Sequence, residues 1–223
     1  MDTHSKLQKH ASEHNCSIRV STITSILETN LKSIDLKLID KELIKNTDIH
    51  VKFIPDRSIH SITKRGKIKK SFFNQLTFTY QDVTRKSVKI FKNGKIHITG
   101  LRSLCDIDLA THKIETILQN SIEKCASITS TKICMMNAIL KLGYAINLYN
   151  LCRLFVNNKY NFSYTPEVYP AINLKRNYNN IVITFLIFKS GNIIISSNKS
   201  MEQLEDNYLF ISHFLNTHKD QIV

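Results

Sequence analysis

The sequence predicts an α+β fold in which two pseudo-symmetric repeats form one antiparallel sheet with helices on one of its faces. Three observations predict it. Residues 90–96 read Ile-Phe-Lys-Asn-Gly-Lys-Ile, and residues 187–193 read Ile-Phe-Lys-Ser-Gly-Asn-Ile, 97 positions later. At that same offset each is followed by a β-rich run and a serine, Ser103 or Ser200, that opens an amphipathic helix. A strand–turn–strand–helix unit is therefore written twice. Each closing helix carries one apolar stripe, so it covers one face of a sheet and leaves the other open. Related halves of one chain commonly pack about a pseudo-two-fold axis, which directs the search for function to the face they share.

Residues 1–16 hold His4, His10 and His14 without a sustained period and read as a flexible N-terminal arm. The i, i+4 pair His10 and His14 beside Cys16 lacks a fourth ligand or a neighbouring carboxylate, so no metal site is read there. The first repeat, residues 17–126, opens with a β-branched strand over 18–26. A short helix over 33–43 follows, with Ser33 as its start. The second repeat, residues 127–223, mirrors this with a strand over 133–140 and a helix over 146–155. Thr24 and Phe91 are 67 positions apart, whereas Asn137 and Phe188 are 51 apart. Much of the surplus falls in residues 55–70, whose run Lys64-Arg65-Gly66-Lys67-Ile68-Lys69-Lys70 reads as a basic loop. Ser103 and Asp106 predict a capped helix start, continued by the stripe Ile107, Ala110, Ile114, Ile117 and Leu118. Ser200 and Gln203 fit a capping box ahead of Leu204, Tyr208, Ile211 and Leu215.

Apolar residues make up 42% of the 223, ordinary for a chain that folds and stays soluble. No apolar run approaches membrane-spanning length, and the N-terminus lacks the basic-then-apolar order of a secretory leader, so a nuclear or cytosolic compartment is expected. The five cysteines are odd in number and scattered, which suits reduced thiols rather than a disulfide framework or a zinc knuckle. Thirty-one Lys and Arg against eighteen Asp and Glu leave a net charge of +13. A field of that sign favours polyanions, nucleic acid first and membrane surface second. Lys, Asn and Ile are all abundant, as an AT-rich genome would also give. No P-loop, nucleophile elbow, zincin helix or kinase set is present, and five glycines leave little room for a phosphate cradle. Asp106 and Asp108 sit where they serve a helix dipole. The sequence therefore predicts a non-enzyme with neither metal nor cofactor.

Tyr164-Thr165-Pro166-Glu167-Val168-Tyr169-Pro170, followed by Phe185-Leu186-Ile187-Phe188-Lys189-Ser190-Gly191, closely resembles the second repeat of the TATA-box-binding protein family. Residues 90–100, ending in Thr99-Gly100, are similar to that family's first strand–turn–strand. The resemblance spans roughly 17–220, is specific in the turns and weak in the opening strands, and points to a divergent member like the factors of large DNA viruses or of a reduced parasitic eukaryote. It implies a saddle: one curved antiparallel sheet of five strands per repeat, two helices per repeat on the convex side, and a concave side on the DNA minor groove. Proteins of this type insert aromatic wedges at base steps and bend the duplex.

Carried over residue by residue, the resemblance makes Phe91 and Phe188 one wedge of each pair, just before Gly94 and Gly191, and Phe73 and Tyr169 the other. Tyr169 stands where the family has phenylalanine, and its hydroxyl needs a partner when buried. On the groove floor Thr99 and Ser196 match threonines that reach base-edge acceptors, and Ile194 matches an apolar contact. The family's two central asparagines are not in place. Met135 takes one position with Asn137 two residues on, hence on the same face, and Thr22 and Thr24 are their counterparts in the first repeat. His97 and Lys89 replace apolar floor residues, which weakens the expectation of strict TATA preference. Lys64, Arg65, Lys67, Lys92, Lys95 and Arg102 are the expected phosphate contacts. Glu167 and Val168 lie in the segment that meets transcription factor IIB in the family.

The resemblance thus implies a monomeric initiation factor, acting in the nucleus or in a viral factory in the host cytoplasm, away from membranes. Its partners would be double-stranded DNA, a TFIIB-like factor and a multisubunit RNA polymerase. Two other readings stay open: a module of the same fold that grips an RNA–DNA hybrid, RNA or a protein without promoter specificity, and a virion or packaging protein that has lost base recognition.

Overall fold

The β-branched opening run folds as a strand longer than its sequence signal. In the computed structural model, which describes residues 16–53, 61–62, 68–69 and 74–223, β1 spans Ser17–Thr29. The chain falls into two units. The first is Ile23–Ile133, and the second joins the chain up to Thr22 to Cys134–Val223. Residues 1–15 of the expected arm, Phe73, Lys64, Arg65 and Lys67 lie outside the described residues.

In the first unit β1 is followed by α1 (Leu36–Leu43), β2 (Ile49–Phe53), β3 (Ser61–Ile62), β4 (Ile68–Lys69), β5 (Gln75–Gln81), β6 (Arg85–Phe91), β7 (Lys95–Leu101) and α2 (Leu104–Ser121). The strand order is β2-β5-β6-β7-β1, antiparallel throughout. The start of β8 (Ile128–Lys141) lies beside β1, where Ser25 Oγ donates to the Lys132 carbonyl at 3.1 Å. β4, within the expected basic loop, pairs antiparallel with β3 just ahead of it, so Ile68 and Lys69 are strand rather than loop.

In the second unit the rest of β8 leads to α3 (Leu148–Asn157), β9 (Asn161–Ser163), β10 (Ala171–Tyr178), β11 (Ile181–Phe188), β12 (Asn192–Asn198), α4 (Met201–Thr217) and a short α5 (Lys219–Ile222). The order is β8-β12-β11-β10-β9, again antiparallel. Each unit thus has five antiparallel strands and two principal helices, the expected α+β arrangement.

Two-residue alternation decides which side of each sheet is covered. In the first unit Leu76, Phe78, Val88, Ile90, Ile96 and Ile98 are fully buried, while the residues between them are not. The helices supply the other half of that core through Ile39 and Leu43 of α1 and Ile107, Ala110, Ile114 and Leu118 of α2. The second unit repeats this with Ile183, Phe185, Ile187, Ile193 and Ile195 under Phe155 of α3 and Leu204, Tyr208, Ile211 and Leu215 of α4. Each such side chain contributes about 1.5–3 kcal/mol when fully buried.

Helix starts correct two expectations. Ser33 does not cap α1; Asp35 does, accepting the Lys37 N–H at 2.9 Å. The preceding Ile34 N–H is held by the Lys92 carbonyl at 2.8 Å, which keeps the chain extended for two residues more. The second repeat does the same: Ile146 N–H is held by the Lys189 carbonyl at 2.8 Å, and Asn147 caps α3. Ser103 and Ser200 cap α2 and α4, accepting from Asp106 and Gln203, and the Gln203 side chain returns to accept the Lys199 N–H at 2.8 Å.

Candidate nucleic-acid interface

The strand face opposite the helices forms the candidate site, and strand register fixes its rows. In the first unit one row runs Thr24, Thr99, Ser87, Thr79 and His50, and the next runs Ile26, His97, Lys89, Thr77 and Lys52. In the second unit the row equivalent to the latter runs Ile139, Ile194, Leu186, Asn173 and Ser163. Beside it Ser196, Thr184, Lys175 and Asn161 are paired.

Phe91 and Phe188 end β6 and β11, half-buried on these faces. Each carbonyl accepts the N–H of the turn glycine three residues on, Gly94 at 3.1 Å and Gly191 at 3.0 Å. Those glycines have φ of +81° and +79°, a region that costs an L side chain about 1–2 kcal/mol. The Tyr169 ring meets Phe188 edge to face at 6.1 Å, so the structure brings together two of the expected wedge residues. Tyr169 is held by a turn in which the Val168 and Tyr169 N–H groups donate to the Thr165 carbonyl at 2.9 and 3.0 Å. The neighbour of Phe91 is His97, with ring centroids 5.1 Å apart.

The other expected residues fall as follows. Thr24 and Thr99 are register partners in the first unit. Thr22, in the second unit, is half-buried where the alternation of β1 slips by one residue. Met135 and Asn137 share the uncovered side of β8, opposite buried Met136 and Ala138; Asn137 Oδ1 accepts the Ser197 N–H at 3.4 Å. Ile194 lies between Ile139 and Leu186, and Ser196 Oγ donates to the Thr184 carbonyl at 3.3 Å. Lys92, Lys95 and Arg102 are exposed, and Lys95 Nζ sits 3.5 Å from Glu28 Oε1. Glu167 and Val168 are exposed, Val168 to 82%. They adjoin a cavity of about 480 Å³ lined by Tyr149, Tyr164, Pro166, Pro170, Lys189 and Val223.

Burial, then the charges of Lys89 and Lys95, holds the His97 imidazole below its ordinary pKa and so favours its neutral form. Among the described residues no group of three or more His, Cys, Asp or Glu could hold a metal ion, and no helix is long and apolar enough to cross a membrane. Ile26, Ile139, Leu186, Thr77 and Thr184 belong to the faces but were not expected there. Counting back by twos from Phe188 along β11 would have found Leu186 and Thr184. The arrangement offers hydroxyls, aliphatic carbons and the cations Lys52, Lys89 and Lys175 on faces edged by aromatic rings.

The family model for transcription factor TFIID (or TATA-binding protein, TBP) matches residues 130–218. A TATA-box-binding protein-like protein of Acanthamoeba polyphaga mimivirus is 26% identical over an alignment of 258 residues, covering 96% of this chain and 69% of that protein. The TATA-box-binding protein of Candida albicans is 32% identical over 127 residues, covering 57% of this chain and 51% of its own length. Among solved structures, Methanococcus jannaschii TBP superposes with a TM-score of 0.63 at 22% identity, covering 91% of this chain and 98% of that one. That similarity establishes the fold.

Proposed function

We propose that this chain, a divergent member of the TATA-box-binding protein family, is a DNA-binding transcription initiation factor that engages the minor groove of AT-rich promoter DNA and bends it by wedge insertion. The observation that carries this reading is the recurrence of one arrangement in two units. A phenylalanine ends the equivalent strand, ahead of a glycine turn, on a sheet face that no helix covers, in Phe91 and again in Phe188. A flat apolar ring at a strand end can enter a base step at little cost in side-chain entropy, and the bend it causes brings more backbone phosphate to the protein. The net charge of +13 supports a polyanionic partner.

In this reading Phe91, Phe188, Tyr169 and Phe73 are wedges, and Thr22, Thr24, His97, Thr99, Met135, Asn137, Ile194 and Ser196 line the groove. Lys92, Lys95, Arg102 and the 64–67 segment neutralise phosphates. The two repeats, 17–126 and 127–223, each take half of the site. Glu167 and Val168, beside the cavity at Tyr149 and Tyr164, receive a TFIIB-like factor that brings a multisubunit RNA polymerase. The protein acts as a monomer, in the nucleus or in a viral factory. It is a binding factor and not an enzyme.

A fluorescence bending assay on an end-labelled AT-rich duplex and a GC-rich control tests this reading. Wild type is expected to bend the AT-rich duplex, and Phe91→Ala/Phe188→Ala to bind more weakly without bending. Equal binding to both duplexes with no bending by either protein would overturn it. That outcome would favour the hybrid- or protein-binding reading, which His97 and Lys89 on the floor support.

A further inference from the structure

We propose that His97 and Lys89 make the first unit's face tolerant of G·C base pairs, while Ile194 and Leu186 restrict the second unit's face to A·T. This inference rests on the minor-groove reading above.

The equivalent positions are fixed by the repeat. His97 and Ile194 are 97 residues apart, as are Lys89 and Leu186, and each pair occupies the same place in its row: Ile26–His97–Lys89 in one unit, Ile139–Ile194–Leu186 in the other. The chemistry at those places differs completely. In the minor groove an A·T pair shows only acceptors, adenine N3 and thymine O2, whereas a G·C pair adds the guanine N2 amino donor.

Three aliphatic side chains in a row suit the first pattern and fail the second. A guanine amino group pressed against Ile139, Ile194 and Leu186 loses its water and gains no acceptor, and a buried unsatisfied donor of that kind lowers affinity about ten-fold or more. Asn173, the next residue outward, offers no relief, because its Oδ1 is enclosed within the protein without a hydrogen-bond partner.

The first unit's row supplies what is missing. A neutral imidazole has one acceptor nitrogen, and burial, then the charges of Lys89 and Lys95, shifts His97 toward that neutral form. Lys95 is itself paired with Glu28. The Phe91 ring packs edge-on against the imidazole at 5.1 Å and fixes its position. Lys89, directly across the strands from His97, is a donor only. It serves cytosine O2 and guanine N3 as well as adenine N3 and thymine O2, so it does not discriminate. Acceptor and donor side by side match the guanine amino group and its neighbouring acceptors.

The test uses three duplexes of one length: all A·T, G·C pairs in one half of the site, and G·C pairs in both halves. Because the protein is free to bind in either direction, a single G·C half can always be placed under the tolerant unit. At about pH 8, above the ordinary imidazole range, wild type is expected to bind the first two duplexes within about three-fold and the third at least about ten-fold more weakly. His97→Ile/Lys89→Leu should lose about ten-fold on the one-half duplex relative to its own all-A·T affinity, a ratio from which any folding defect cancels. His97→Gln, which keeps an acceptor, should retain tolerance, and Ile194→His/Leu186→Lys should gain binding to the third duplex. Equal penalties for the first and second G·C half in wild type, or unchanged tolerance in His97→Ile/Lys89→Leu, would overturn the inference while all-A·T binding upheld the DNA reading. Failure to bind the all-A·T duplex would instead overturn the DNA reading and this inference with it.

Discussion

Ser197 has φ of +75° near the end of β12, and 97 residues earlier Gly100 has φ of +91° near the end of β7. Both lie just past the pairing with β6 or β11 and at a register shift in the pairing with the opening strand, between Thr99 and Leu101 in the first unit and between Ile195 and Asn198 in the second. In the first repeat glycine is required, since a Cβ on Gly100 would strike the Arg85 carbonyl oxygen. Ser197 accepts the same backbone conformation with a side chain that penalises it. Ser197→Gly is therefore expected to raise stability by up to about 1 kcal/mol, the relieved strain less the greater chain entropy of glycine; a lowered urea midpoint would contradict this. The repeat made the equivalence of these two residues legible, but nothing in the sequence announced that a serine would adopt a glycine conformation. Asn137 shows the opposite case. Its place two residues beyond Met135 was readable from strand period alone, yet its bond to the Ser197 amide depends on that bulge and was not.

Among the elements, the closing helices were readable almost completely and the opening ones only in kind. Ser103 and Ser200 cap α2 and α4, and the amides just ahead of them, Arg102 and Lys199, donate to the helices' own Asp106 and Gln203 side chains. Ser33 was a plausible cap by type, but a tertiary bond from the Ile34 amide to the Lys92 carbonyl overrides local preference and delays α1 to Leu36. A second tertiary device went unread: Lys86, fully buried in β6, places its Nζ 3.2 Å from Asp82 Oδ2 and 3.8 Å from Asp106 Oδ1. It fastens the turn between β5 and β6 to the first turn of α2. The Val83 amide, and then Lys86, hold the Asp82 carboxyl below the usual carboxylate range. Since the folded state favours the ionised form, this contribution is present above the ordinary aspartate pKa of about 4 and is lost as pH falls through the lower folded value. Thermal melts followed by circular dichroism at successively lower pH should show that loss in wild type. In Lys86→Met it should be smaller, though not absent, because the Val83 amide remains. An unchanged acid limb in the variant would remove Lys86 from the explanation.

For the molecule as a whole, the proposed DNA reading makes charge and wedge separable contributions, and that separation yields the last prediction. Counterion release makes the logarithm of the binding constant fall linearly with the logarithm of salt concentration, with a slope of about −0.9 for each phosphate neutralised. The slope therefore counts cations and is blind to apolar insertion. Phe91→Ala/Phe188→Ala should weaken binding at every salt concentration and leave the slope unchanged, whereas replacing an exposed cation such as Arg102 by Ala should make the slope shallower by about one. Glu28 gives the test its sign. It sits beside Lys95 in a surface pair of the kind that contributes little to stability, about 0–1 kcal/mol, and if this face meets DNA as proposed it both occupies a cation and repels phosphate. Glu28→Gln should thus strengthen DNA binding several-fold at low salt and steepen the slope, with little change in melting temperature. Filter binding or fluorescence anisotropy over a salt series reads all three variants. If Glu28→Gln left affinity unchanged while Arg102→Ala weakened it, Lys95 would lie off the DNA path and the phosphate track would pass nearer the start of α2 than the turn after β6.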